Sequence, residues 1–285
     1  MLEKISNGWQ FAKDSFSIVR HNKRLIVLPI VSMIAATLVV ISFIAPLWAS
    51  GTAESWMETT DESGNMPVAA WVTLFAFYFC NYFVIVFFNC ALIACTMQAL
   101  RGEEVQLGYG FSMAARRLPQ IAGWAFVSAL VGVLLRALEQ NDKIARVVSA
   151  ILGTAWTVLT YFAIPFIVME GAGPIAAIKS SASTVKKTWG ESLVGHFSLG
   201  LIGFLISLPV ILLGIGLIYL ASQSGSAAMV VLAIVVTAVG ILLAAAISSA
   251  ADIIFKGLMY NYATGRDLPA GIDTNKYEMA FASKG

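Results

Sequence analysis

Five stretches of the chain contain no Asp, Glu, Lys, Arg or His: residues 25–53, 63–100, 118–135, 147–169 and 197–251. A helix that crosses a bilayer needs about 20 apolar residues, so each of the first four stretches suits one crossing. The last is 55 residues long. At ~1.5 Å per residue it would cross a ~30 Å hydrocarbon core more than twice. Its polar interruption at residues 222–226, SQSGS, marks a turn between two crossings. The pattern therefore predicts an all-α polytopic membrane protein with six transmembrane helices.

A different periodicity precedes three of these stretches. Apolar positions recur every three or four residues at Leu2, Ile5, Trp9, Ala12, Phe16 and Val19. They do so again at Leu107, Phe111, Ala114 and Leu118, and at Ile175, Ile178, Ala182, Val185 and Trp189. Such steps place them on one stripe of a helix, with lysine, arginine and serine on much of the remainder. Each segment ends in a basic pair just before a crossing: Lys23-Arg24, Arg116-Arg117 and Lys186-Lys187. Amphipathic helices of this kind lie in the membrane interface, their basic ends at lipid headgroups. The six basic residues are accordingly candidate headgroup anchors.

The chain thus reads as three pseudo-repeats, each an interfacial amphipathic helix followed by a transmembrane hairpin, over about residues 1–100, 101–170 and 171–260. Each repeat crosses twice, so all three are parallel and related by an axis along the membrane normal. Residues 1–265 form a single integral membrane domain in this reading, and residues 266–285 a short cytoplasmic tail.

Composition agrees with lipid as the solvent. Hydrophobic residues make up 59% and charged residues 12% of 285, with mean hydropathy +0.82. A soluble domain carries about 25% charge, more than twice as much. A net charge of +2, scattered along the chain, excludes a nucleic-acid surface. Fifteen of the 18 basic residues fall on one side if both termini lie there, and residues 50–66 on the other side hold only acidic charge. The positive-inside rule then puts both termini in the cytoplasm. The first crossing is too long for the apolar core of a signal peptide and reads as an anchor.

Candidate chemistry is sparse. His21 and His196 are the two histidines, so no zinc cluster or HExxH arises, and no phosphate-binding loop or dinucleotide fingerprint is present. Gly110-Phe-Ser-Met-Ala114 misses the nucleophile elbow at its last position. Cys80, Cys90 and Cys95 share the second crossing without metal or redox spacing and read as small buried hydrophobes. The chain is therefore expected to be no enzyme and to hold no cofactor or metal. Small residues at Ala125/Ala129 and Ser128/Gly132, and again at residues 244–251, predict close helix contacts. Pro209 predicts a kink. The aromatic run FAFYFCNYFVIVFFN predicts lipid contact or a subunit interface. Glu139–Lys143 and Asp142–Arg146 are expected to pair at the outer loop.

Polar groups in or beside crossings are costly and often functional. Here they are Asn81, Asn89, Gln98, Glu170, His196, Asp252 and Lys256, candidates for a polar path or for helix contacts.

The stretch PFIVMEGAGPIAAIKSSASTVKKTWGE and the ending YNYATGRDLPAGID resemble a widespread group of bacterial six-span membrane proteins without assigned function. That resemblance covers nearly the whole chain and implies no catalytic residue. In outline, three repeats with in-plane helices are also similar to mitochondrial carriers, but Pro165 is followed by Phe-Ile-Val-Met-Glu, without the carriers' acidic-basic signature.

Two functions fit these residues. The leading one is passage or binding of a small solute, ion or lipid within the bundle. The other is a membrane-organising scaffold or accessory subunit whose basic helices hold anionic lipid or a protein partner; a homo-oligomer suits either. Topology is open to direct test. Single cysteines replacing Ser55 and Ser224 should react with an impermeant thiol probe from outside, and one replacing Ser283 only from inside. Outside labelling of the Ser283 variant would reverse the orientation.

Overall fold

The computed structural model describes residues 2–59, 66–139 and 143–265, which are helical almost throughout and contain no strand. Helix α1 is Leu2–His21, and a 3-10 turn at Lys23–Ile26 leads into α2, Val27–Ala49. A short α3, Thr52–Thr59, precedes α4, Val68–Leu100. Then come α5 (Leu107–Ala115), α6 (Leu118–Glu139) and α7 (Lys143–Leu159). A one-turn α8, Ala163–Pro165, runs into a π-helical turn at Phe166–Glu170. The chain continues with α9, Pro174–Gln223, and α10, Ala227–Ala263.

Five of the described helices are long and apolar enough to cross a membrane: Lys23–Ala49, Val68–Leu100, Leu118–Glu139, Phe197–Gln223 and Ala227–Ala263. Ile144–Leu159 and Ala163–Glu170 make a sixth crossing if taken together, although they meet at 43°. The protein is a multi-pass membrane protein. The segment that hydropathy presents as a continuous fourth crossing is broken.

Contacts divide the chain into two compact units. One comprises Met1–Ile30, Cys95–Leu107 and Thr188–Gly285. In it α1 packs along α10, burying Ala12, Ser15 and Val19. The α9–α10 hairpin closes through small residues, the main source of close contact in lipid. A Cβ on Gly203 would lie 2.9 Å from Ser248 Oγ, and one on Gly240 2.9 Å from Val210 Cγ1. Thr237 fills the space beside Gly214.

The other unit comprises Val31–Ala94 and Gly108–Lys187. Its centre is α4, the most enclosed crossing, with 61% of its apolar window buried against 11% for Phe197–Gln223. The most buried part of α4 is its C-terminal end from Cys90 onward, whereas the rings of the aromatic run are partly exposed and also pack on one another and on neighbouring helices. Phe77 meets Phe43 of α2 edge-on, Phe75 meets Phe126 of α6, and Phe87 and Phe88 both touch Phe111 of α5. Gly132 admits the Tyr78 ring, to which a Cβ would come within 3.0 Å. Ala125, Ser128 and Ala129 are buried as their spacing predicts.

The amphipathic segments are helices whose apolar stripes divide between protein and the outside: Ala12, Val19, Ala114 and Val185 are buried, while other stripe residues are exposed. Gly110 and Ala114 are buried on α5, whereas Leu118 is 40% exposed. In the first part of α9 the buried residues are Ala177, Ser181, Thr184, Val185 and Thr188, while Ile175 is 69% exposed. Small residues face protein and large apolar ones face outward. Lipid is as apolar as leucine, so burial of a large side chain gains little, and close backbone approach gains more.

Inside α9 the non-helical dihedrals fall at Thr188 (φ −112°, ψ 19°), directly after Lys186-Lys187, and Pro209 carries no such break. Glu139 pairs back to Arg136 at 3.2 Å. The expected Glu139–Lys143 and Asp142–Arg146 pairs, and the tail at 266–285, lie outside the described residues.

Gly132→Leu should cost about 1–3 kcal/mol by overpacking against Tyr78. Gly216→Leu, whose Cβ meets nothing within 4 Å, should be near neutral. Thermal unfolding in lipid nanodiscs compares the two, and equal melting temperatures would contradict the packing argument.

Candidate functional site: the helix junctions

The polar groups of interest gather where helices break. Pro165 has no N–H to give to the carbonyl four residues earlier, and its ring crowds that carbonyl. The fourth crossing accordingly opens at Thr160–Phe162. Ala163 N–H still reaches Thr160 O at 3.0 Å, and Thr160 Oγ1 donates to Trp156 O at 2.7 Å. Phe162 N–H is left without a helical acceptor in a fully buried position. It donates to Ser181 Oγ on α9 at 2.9 Å, and both residues are 0% exposed. Irregular backbone at membrane depth is tolerated only where protein satisfies it.

The same broken crossing ends on Gly171, whose φ of 68° is left-handed. Gly171 N–H bonds Ile167 O at 3.1 Å, and Ala172 N–H bonds Phe166 O at 3.2 Å. Val168 O accepts instead from Arg117 Nε at 3.1 Å. A guanidinium at the carbonyl end of a helix meets the negative end of its dipole, and a charge-assisted bond adds to this. The fit is close: a Cβ on Gly171 would lie 2.6 Å from Arg117 Nη1 and 2.9 Å from Cζ. Glycine is needed here both for its backbone angle and for the arginine. One turn on, a Cβ on Gly123 would lie 3.1 Å from Pro174 Cγ, so the starts of α6 and α9 are also seated together.

Arg24 repeats part of this in the other unit. Its Nη1 donates to Glu104 Oε1 at 2.7 Å and to Val105 O at 3.2 Å. The loop it holds turns at Gly102, φ 71°, and Gln98 Oε1 accepts the Gln106 N–H at 3.2 Å. Arg101 beside Glu103 holds that carboxyl below the ordinary carboxylate range. Cys95 Sγ donates weakly to Gln106 O at 3.6 Å.

The expected anchors are therefore of two kinds. Arg24 and Arg117 bond protein carbonyls, Arg24 while remaining exposed, and Lys23, Arg116, Lys186 and Lys187 are exposed as well. All three pairs sit at junctions: the 3-10 turn after α1, the two-residue turn between α5 and α6, and the Thr188 kink. Sequence marked these positions but not the carbonyls that two of them bond, because Val105 and Val168 carry no side-chain signal. The positive φ at Gly171 and the proline at 165 were the available clues.

The candidate polar residues are distributed as follows among the described residues. Gln98 is tied to its loop, and Lys256 Nζ meets Asp252 Oδ2 at 2.6 Å, both partly buried on α10. Asn81 and Asn89 are half-buried on α4, and Glu170 is exposed at the end of the broken crossing. The His196 side chain lies outside the described residues. Among the described residues no three metal-binding side chains gather.

Residues 68–268 match the model of a family of unknown function (DUF6159). The match takes in two of the basic pairs and the whole broken crossing, and it begins at α4, so α1–α3 lie outside it. No curated protein matches the chain.

Removing Ser181 Oγ by Ser181→Ala leaves a buried N–H unsatisfied, at a cost of about 1–3 kcal/mol. Gly171→Ala should cost a similar amount, on the order of 1–3 kcal/mol for a left-handed non-glycine residue, and should also dislodge Arg117. In hydrogen exchange, Ser181→Ala should expose the Phe162 amide, and Gly171→Ala the amides of residues 171 and 172. Unchanged exchange at both places would contradict the two contacts.

Proposed function

The chain belongs to that family of unknown function, and from this premise we propose that it is a lipid-binding, membrane-organising protein of the bacterial inner membrane, with both termini cytoplasmic. Its basic junctions hold anionic headgroups, and no catalytic step is involved. The observation that carries this reading is the division within the pairs. One arginine in each of the first two pairs fixes a protein carbonyl. Its neighbour, Lys23 or Arg116, is left exposed. An exposed cation on a pinned turn is held at a fixed depth, where each basic residue contributes roughly 1 kcal/mol toward an anionic leaflet. Phospholipid is then the primary partner, with a second copy or another membrane protein as an additional one.

Three parallel pseudo-repeats belong to this proposal. Left-handed glycines support them: Gly102, Gly171 and Gly265 follow the second helix of each hairpin, and Gly51 and Gly225 lie in the turns of the first and third hairpins. Gly102 falls 78 residues after Arg24, and Gly265 falls 78 after Lys187.

Passage of a solute or ion is the second reading. The broken crossing and the half-buried Asn81 and Asn89 favour it. Its weakness is that Gln98 and Lys256 are already engaged within the chain.

Arg116→Gln and Arg117→Gln separate the readings. In vesicles of phosphatidylglycerol and of phosphatidylcholine, exchange across residues 105–118 should be slower in the anionic lipid for the parent. Arg116→Gln should remove about fivefold of that lipid dependence while leaving residues 171 and 172 protected. Arg117→Gln should expose residues 171 and 172 in both lipids. Equal protection of the parent in both lipids would sink the headgroup reading, and solute flux through the same vesicles would favour passage.

A further inference from the structure

We propose that Ser248 and Asp252, on successive turns of α10, bind one monovalent cation in the seam between α9 and α10, in exchange for the ammonium of Lys256. The site lies away from the basic junctions and is independent of the headgroup reading. Three contacts set the seam. Thr237 lies against Gly214, Val210 against Gly240, and Ser248 Oγ 2.9 Å from the position of a Cβ on Gly203. The two helices run antiparallel, so one turn back on α9 matches one turn on along α10. The same register sets Asp252 opposite Leu199, which is 5% exposed. Ser248, Asp252 and Lys256 thus follow one stripe at steps of four residues, directed at α9.

The hydroxyl of Ser248 sets this stripe apart. Thr37, Ser42, Thr154, Thr157, Ser207 and Thr237 each donate to a carbonyl of their own helix, at 2.7–2.9 Å. Ser248 Oγ points instead into the notch at Gly203, sealed from solvent and without a hydrogen-bond partner among the described residues. A buried hydroxyl in that state costs stability unless something binds it, and its lone pairs suit a cation. Asp252 supplies the negative charge one turn away. Its Oδ1 is sealed from solvent, and its Oδ2 holds Lys256 Nζ at 2.6 Å. Side chains four residues apart on a helix have Cβ atoms roughly 5–6 Å apart, so one ion reaches both oxygens.

Charge sets the valence. Residues 197–223 of α9 carry no charged side chain, and α1 buries the neutral Ala12, Ser15 and Val19 along α10. One carboxylate therefore balances one positive charge, which Lys256 provides in this structure. A divalent ion needs more acidic ligands, and among the described residues no three metal-binding side chains gather. Oxygen ligands alone suit a hard alkali ion such as sodium. Lys256 is able to leave. It stands nearer the end of α10 with its side chain 18% exposed, and its long stem carries the ammonium outward to the polar boundary.

The test uses the full-length protein in lipid nanodiscs, titrated with sodium chloride or with choline chloride at matched ionic strength. Sodium should raise the melting temperature of the parent saturably, and choline should not. Acylation of Lys256 by an amine-reactive reagent, read by peptide mass spectrometry, should become faster along the same sodium curve. Lys256→Gln removes the competing cation and should lower the sodium midpoint about tenfold. A merely structural ion pair gives the reverse for that variant, lower stability and no sodium dependence. Ser248→Ala should raise the midpoint about tenfold, and Asp252→Asn should abolish the response. The parent titration decides even if Asp252→Asn does not fold. Equal responses to sodium and choline overturn the proposal, as does a sodium response that is unchanged in Ser248→Ala. A rise in melting temperature with no change in Lys256 acylation places the ion elsewhere and overturns the exchange.

Discussion

A backbone amide in hydrocarbon must find its acceptor inside the protein, and the second unit is arranged around one place where a helix cannot supply it. Pro165 interrupts the ladder at a depth where no water stands in. Ser181 then has to arrive from α9 with its hydroxyl at Phe162 N–H. For that serine to arrive, the first part of α9 must present its small polar face to the protein. For the crossing to end so close to the start of α9, Gly171 must turn left-handed. Arg117 then fills the space that a side chain on Gly171 would occupy. The break beside Pro165 thus brings together a serine, a glycine and an arginine that are far apart in the chain.

The same solvent explains why the amphipathic stripes were only half legible. Counting apolar residues at steps of three and four located all three helices and their ends, because period does not depend on which solvent the stripe faces. What the period does not tell is which residues of each helix touch protein. In water Ile175 would be the buried residue and Ser181 the exposed one; here Ile175 is exposed and Ser181 fully buried. The exchange of roles follows from the energetics, since a large side chain gains nothing by leaving lipid for protein of equal polarity, whereas a small one lets two backbones approach. The small-xxx-small pattern of α6 was read by that rule and was met, with Gly132 under the Tyr78 ring. The aromatic run of α4 was read by composition alone, which does not reveal its ring partners within the chain. Its rings pack on α2, α5 and α6.

Hydropathy also missed the break in the fourth crossing, because a window average weighs Pro165 as one mildly polar residue among many apolar ones. Two prolines inside apolar runs looked alike in sequence, yet Pro165 sits at a break and Pro209 inside a continuous helix. The difference lies in neighbours. Ser181 receives the backbone freed near Pro165, and Gly214 and Gly240 near Pro209 bring α10 close along an unbroken helix. Neither partner is visible from local sequence, since Ser181 stands 19 residues from the amide it bonds.

The basic pairs show how a charge serves structure and surface together. Lysine carries three donors on one nitrogen, while arginine spreads five over a planar fork. A residue that must hold a distant carbonyl and still face the polar boundary therefore suits arginine. Both pairs whose second member bonds a carbonyl, Lys23-Arg24 and Arg116-Arg117, have arginine there. Both stand where one helix stops and another starts. The third pair ends in lysine, and there the helix runs on through a kink at Thr188 instead of stopping. A full break frees backbone carbonyls that need a forked cation, and a kink frees fewer. On this argument the identity of the second basic residue and the completeness of the break are one choice, made three times along the chain.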